Sequence, residues 1–162
     1  MPKGFVGWMA LAALVVVLDQ ASKLVILRVF QLGERLELTA FFNLILTYNP
    51  GAAFSFLAGA GGWQKWFFVI LALTISGWIV HMLYRQPQLR LQSAALSLIM
   101  GGALGNAIDR FIHGAVVDFL DFHYWGWHFP AFNLADSAIT LGAILLIGEQ
   151  LFATRAQDAG KA

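Results

Sequence analysis

Residues 5–30 read FVGWMALAALVVVLDQASKLVILRVF, and the architecture of the chain turns on this stretch. Lys3 followed by the apolar run from Phe5 to Leu18 resembles a cleavable secretory signal. The run does not end there: after Asp19 to Lys23, hydrophobicity resumes with Leu24, Val25, Ile26 and Leu27, and no small-residue cleavage site separates the halves. A helix that crosses a bilayer needs about 20 mostly apolar residues, so the stretch reads as a retained transmembrane helix.

Three further segments pass the same length test, at about 64–84, 91–112 and 132–153. Composition agrees: 59% of the 162 residues are hydrophobic and 12% are charged, against roughly a quarter charged in an ordinary soluble domain. The expectation is one membrane domain spanning 1–162, all-α in its four transmembrane helices, with a small β-containing outer loop. A net charge of +1, with basic residues scattered singly, gives no reason to expect nucleic acid as a partner. The chain has no cysteine, which excludes disulfides, thiolate metal sites and a cysteine nucleophile.

Positive charge in short connectors collects on the cytoplasmic side. Lys3, Arg85, Arg90, Arg155 and Lys161 share one side if both termini are cytoplasmic, with Arg35 and Lys65 dissenting. The outer connectors are then the long ones. In 36–49, the partly alternating Leu44-Ile45-Leu46-Thr47-Tyr48-Asn49 is followed by an Asn-Pro-Gly turn and the glycines of 59–62, which predicts one or two short strands and a bend. Residues 122–132 carry Tyr124, Trp125, Trp127, Phe129 and Phe132, rings suited to the membrane interface and hence to contact with lipids.

An ionisable side chain within a span is costly and is read first as functional. Asp19 and Lys23 stand i, i+4 in the first helix, and Asn106 and Arg110 repeat that spacing in the third, after the small residues Gly101, Gly102, Ala103 and Gly105. At about 100° per residue, Asn133, Asp136, Ser137 and Thr140 fall at about 0°, 300°, 40° and 340°, a single polar stripe. With both termini inside, all these groups lie at one depth near the outer interface, together with Asn49 and Asp118, which points to a shared site. Structural support is the simpler account of Asp19 with Lys23 and of Asn106 with Arg110. Asp109 is expected to face headgroup water, Asp121 to be solvated or capping, and Glu149 to be structural. Asp136, without a basic neighbour on its helix, and Asp118, between Val116-Val117 and Phe119-Leu120, are the carboxylates hardest to explain structurally. Two carboxylates held close share a proton, so that one activates water while the other protonates a carbonyl oxygen or a leaving amine. Such a pair hydrolyses amides without a metal or other cofactor.

His123 and His128 with Asp118 or Asp121 are the alternative, a metal-dependent membrane hydrolase, but their spacing matches no strong ligand motif. Ser22, Ser55 and Ser137 lack a nucleophile-elbow setting. A small proton-coupled transporter is a second alternative, and it would place ionisable groups near the midplane, whereas the inner halves of these spans are nearly all apolar.

Five blocks carry a family resemblance: Asp19-Gln20-Ala21-Ser22-Lys23, Tyr48-Asn49-Pro50-Gly51-Ala52-Ala53-Phe54, Gly105-Asn106-Ala107-Ile108-Asp109-Arg110, Val117-Asp118-Phe119, and Phe132-Asn133-Leu134-Ala135-Asp136-Ser137. In this order they resemble the bacterial lipoprotein signal peptidases, or signal peptidase II. The resemblance implies an aspartic endopeptidase of the bacterial inner membrane, working near the outer (periplasmic) face, with Asp118 and Asp136 as catalytic pair. Asp19, Lys23, Asn49, Gly51, Asn106, Arg110 and Asn133 would support the site. The implied substrate is a diacylglyceryl-modified prolipoprotein cut before its lipidated cysteine, and the implied inhibitor is a globomycin-type cyclic peptide.

Overall fold

The computed structural model describes residues 2–51, 57, 59 and 61–159; Ala52 to Ser55, Ala60 and Lys161, named above, lie outside them. In chain order the elements are α1 (Phe5–Val29), β1 (Arg35–Thr39), β2 (Phe42–Asn49), α2 (Gln64–Arg85), α3 (Arg90–His113), β3 (Val116–Tyr124), β4 (Trp127–His128) and α4 (Leu134–Ala159). The four helices occupy the expected segments, and all are long and apolar enough to cross a membrane. α1 runs unbroken through Asp19 and Lys23, whose costs are met by partners described below. Residues such as Val17, Val25, Ile70, Trp78, Ile144 and Ile147 point outward, as hydrocarbon solvent permits.

α3 is the central helix and packs against α1, α2 and α4. Its small residues make this possible. A Cβ on Gly105 would meet Asp19 Oδ2 at 2.5 Å, and one on Gly102 would run into the Ala135 carbonyl of α4. Among the described residues, Ala12, Ile79, Leu83, Leu96 and Met100 form the apolar core where α1, α2 and α3 meet.

The sheet is larger than the sequence leads one to expect. The first connector supplies β1 and β2, as expected, but the second also forms strands, and the four pair antiparallel in the order β1-β2-β3-β4. β3 escapes a pattern search because Val116 to Phe119 are buried on both faces, so no period-2 alternation is visible. β2 and β3 pair from Phe42↔Phe122 to Asn49↔Val116, with an irregularity between Leu44 and Thr47 that sets Thr47 opposite Asp118. Ile26 of α1 packs with Leu46, Val117 and Phe119 beneath the sheet. The β3–β4 hairpin closes through Trp125 (φ 50°) and Gly126 (φ 81°), a two-residue turn with both residues left-handed. Trp125 is 91% exposed at its tip.

Candidate active site

The site begins with a buried cation. Lys23 Nζ donates to Asp19 Oδ2 (2.8 Å), to Asn106 Oδ1 (2.9 Å) and approaches Asp109 Oδ2 (2.7 Å), so its three donors are matched by three oxygens. The expected Asp19–Lys23 pair is present, but Asp109 corrects the sequence reading: it is 2% exposed and faces inward. Its carboxylate also accepts from Gln20 Nε2 (2.9 Å) and from the Val117 amide (3.1 Å), tying α3 to α1 and β3. Gln20 was not singled out in the sequence. For Asp109 the available signal was position: Gly102, Gly105, Asn106 and Asp109 are spaced i, i+3, i+4, i+7, the same close-packed face of α3.

From Lys23 the network continues to the two carboxylates. Because Asn106 Oδ1 is held by Lys23, its Nδ2 faces away and donates to Asp136 Oδ1 at 2.7 Å. Asn133 does not stand within α4, as the polar stripe implied, but immediately before it. Its Oδ1 accepts from the Asp136 amide (2.9 Å) while Asp136 Oδ2 accepts from the Asn133 amide (3.2 Å), a reciprocal capping arrangement that places Asp136 in the first turn. Asn133 Nδ2 donates to Asp118 Oδ1 at 2.7 Å. One residue therefore touches both carboxylates. Asn49 donates to Asp118 as well. Its own Oδ1 accepts from the Gly51 amide at 3.0 Å, and the Gly51 carbonyl accepts from Arg110 Nη2 at 2.7 Å. Arg110 and Asn106, expected as a side-chain pair, meet only through the Asn106 carbonyl (3.3 Å), while the Arg110 guanidinium stacks on Phe68.

Asp19, Lys23, Asn49, Gly51, Asn106, Arg110, Asp118, Asn133 and Asp136 thus belong to one connected set. Asn49, Asn106, Arg110, Asp118 and Asp136 line a cavity of about 1320 Å³ bounded by β2, β3, α2, α3 and α4. Tyr48, Phe129, Ser137 and Thr140 line it too, and Leu71, Ile75 and Ile139 extend it along apolar helix faces.

Charge is distributed unevenly among the buried carboxylates. Asp19 and Asp109 share Lys23. Asp121, expected in solvent, is buried under the sheet, where it accepts from Asn43 Nδ2 (2.8 Å), meets His128 Nδ1 (2.8 Å) and lies 3.8 Å from Arg35 Nε. Burial raises its pKa, but the hydrogen bonds from Asn43 and His128 and the charges of His128 and Arg35 outweigh burial and hold it below the usual carboxylate range. The two histidines stack at 5.1 Å and His123 Nε2 bonds Asn43, so both serve Asp121 and the sheet, not Asp118. Among the described residues, Asp118 and Asp136 have no cation within 4.0 Å and are held by amides alone. Burial, then the charge of Asp136, push the Asp118 pKa up to about 7, against the lowering effect of Asn133, Asn49 and Lys23. A carboxyl group so held is protonated in about half of the molecules at neutral pH, a proton it can donate.

The profile of the family described as signal peptidase (SPase) II matches residues 11–152. The chain belongs to the signal peptidase II family. A lipoprotein signal peptidase of Cupriavidus necator is 60% identical over 144 residues, covering 89% of this chain and 82% of the relative. One from Burkholderia vietnamiensis is 56% identical, covering 89% and 87%. A solved structure described as a bacterial membrane enzyme superposes with a TM-score of 0.82 at 36% identity, covering 91% of this chain and 89% of that one. Family membership makes the chain a peptidase, and the four spans make it a multi-pass membrane protein.

Proposed function

We propose that this signal peptidase removes the signal peptide of diacylglyceryl-modified prolipoproteins by aspartic catalysis, with Asp118 and Asp136 as the pair that acts on water and on the scissile amide. One observation carries the mechanism: among the described residues, Asp19 and Asp109 share the Lys23 cation and Asp121 lies 3.8 Å from Arg35, whereas Asp118 and Asp136 line the cavity with amide donors and no cation within 4.0 Å. Two unneutralised carboxylates joined through one asparagine share a single negative charge and a proton. In the first step, water oxygen bonds to the carbonyl carbon, its proton passes to the ionised carboxylate, and the carbonyl oxygen takes the proton of the other. In the second, the carbon–nitrogen bond breaks, the amine nitrogen takes back the first proton, and one hydroxyl returns its proton to the second carboxylate. An acid and an amine leave, and the pair is restored without metal or cofactor.

The lipoprotein substrate is supported by the relatives' activity and by the cavity, which joins a polar floor to apolar walls of α2 and α4. A peptide carrying two acyl chains needs both. We place both termini in the cytoplasm and the site at the outer face of the bacterial inner membrane, from the distribution of Lys and Arg. A globomycin-type cyclic peptide would occupy the same cavity over the two carboxylates.

The experiment is a gel-shift cleavage assay with purified protein and a diacylated precursor peptide beside its unlipidated twin. Cleavage of the diacylated peptide alone is expected, unchanged after exhaustive chelation. Equal cleavage of both would refute the lipid requirement, and chelator loss restored by zinc would refute metal independence. Reporter fusions after Ala162 should be active only in the cytoplasm; activity only on export would reverse the topology.

A further inference from the structure

The pair is chemically symmetric but its surroundings are not. Asp136 sits in the first turn of α4, where the unpaired amides of a helix start favour a negative charge, and its Oδ2 accepts from one of them, that of Asn133. Its Oδ1 accepts from Asn106, whose amide is oriented by the Lys23 ammonium on its other side. The anion at Asp136 is thus one amide away from a buried cation. Asp118 is the third residue of β3, 2% exposed, and is not part of a helix. Its donors are Asn133 and Asn49, and the Asn49 oxygen accepts from the Gly51 amide, while Arg110 bonds the Gly51 carbonyl on the next peptide group.

We propose that Asp136 is the ionised member that takes the proton from water and Asp118 the protonated member that donates to the carbonyl oxygen, with Asn106 and Asn49 as positioning residues that each tune one of them. This rests on the aspartic reading of the site and specifies it. Charged groups surround the pair on several elements, and Arg35 of β1, Asp121 of β3 and His128 of β4 line the same cavity as a cluster paired among themselves. Lys23 of α1 and Arg110 of α3 face it as cations, and Asp19 of α1 opposes them beside Asp136. Asp109 of α3 bears on Arg110 and is itself neutralised by Lys23. Lys23 and Arg110 act on both members, so what distinguishes the two is the helix start and the amide that links Asp136 to Lys23. The titration of Asp118 near 7 agrees with its keeping the proton.

The test is the pH profile of kcat/KM, whose limbs report the free enzyme. Asn106→Leu keeps the branched shape and removes the donor to Asp136, together with the oxygen that accepts from Lys23 and Asn133. Asn49→Ser keeps an oxygen for the Gly51 amide, and so the turn, but removes the donor to Asp118. A lost hydrogen bond to a carboxylate disfavours its anion and moves its titration up by about half a pH unit to one unit. The expected result is crossed: Asn106→Leu moves the acid limb up and leaves the alkaline limb, and Asn49→Ser moves the alkaline limb up and leaves the acid limb. A general loss of structure would lower the whole curve without shifting either limb selectively. The opposite crossing would overturn the assignment of roles while keeping the pair. Movement of both limbs together, or of neither, would overturn the division of labour between the two asparagines. If Asn106→Leu does not purify as a folded protein, Asn49→Ser decides alone, because the limb it moves names the role of Asp118. Failure of the underlying reading is recognised separately, by cleavage persisting in Asp118→Asn or Asp136→Asn.

Discussion

Asp118→Asn should destroy activity and strengthen the protein, and the two effects have one cause. An amide nearly matches the carboxyl in size and keeps an acceptor for Asn133, but it neither gives nor takes a proton. General acid–base assistance contributes roughly 10²–10⁴-fold, so cleavage should fall at least about a hundredfold. Stability moves the other way. In the unfolded chain Asp118 loses its proton near 3.8, whereas in the folded site it holds the proton to about 7. A raised folded-state pKa contributes stability that is complete below 3.8 and lost as pH rises through 7. At about 1.4 kcal/mol per pH unit, the interval from 3.8 to about 7 amounts to about 4 kcal/mol that the native protein forgoes at pH 8 and the amide variant does not. Melting curves of both proteins, followed by tryptophan fluorescence in detergent at pH 4, 6 and 8, should nearly coincide at pH 4 and separate by several degrees at pH 8, the variant higher. A separation that stays constant with pH would refute the raised titration of Asp118. Near-normal single-turnover cleavage would refute its part in the chemistry.

Asp136→Asn should abolish cleavage likewise and, by removing a like charge, draw the pH dependence of stability due to Asp118 to lower pH, read from the same melting series. Asp121→Asn, three residues from Asp118 on β3, should retain most activity in the cleavage assay but melt lower at neutral pH. The stabilisation it removes is present above the usual carboxylate range and disappears on acidification, since the Asp121 pKa is depressed. Lys23→Met should leave Asp19 and Asp109 as uncompensated buried anions, costing about 3–5 kcal/mol, and little folded protein should survive size-exclusion chromatography. Restoring neutrality with Asp19→Asn and Asp109→Asn in the same chain should recover folding. Gly105→Ala should destabilise the fold by about 1–3 kcal/mol and so melt lower, because its Cβ would meet the Asp19 carboxylate; an unchanged melting temperature would show that α1 and α3 are not held at that distance.

The helices were legible because a span is a matter of length and apolarity, and both are local properties of the chain. The polar stations Asp19, Lys23, Asn106 and Asp136 were legible for the complementary reason, since each breaks a hydrophobic run at visible cost. What the sequence concealed depends on partners far away in the chain. Asp109 beside Arg110 suggests a local surface pair, yet its counter-ion is Lys23 on another helix. Asp121 suggests solvent, yet Asn43 and His128 meet it under the sheet. β3 was missed because a strand covered on both faces has no alternation to read, and Asn133 was placed inside α4 because a polar stripe does not distinguish the first helical residue from its cap.

The pairing of β2 with β3 has a consequence for how such a chain is made. β2 follows the first span and β3 the third, so the sheet under Asp118 remains half built while the ribosome is still producing α3. Asp136 arrives later still, on the span that follows. A nascent chain therefore carries no Asp118–Asp136 pair until its last helix is made, and on the proposed mechanism a product truncated at any earlier span would be proteolytically silent.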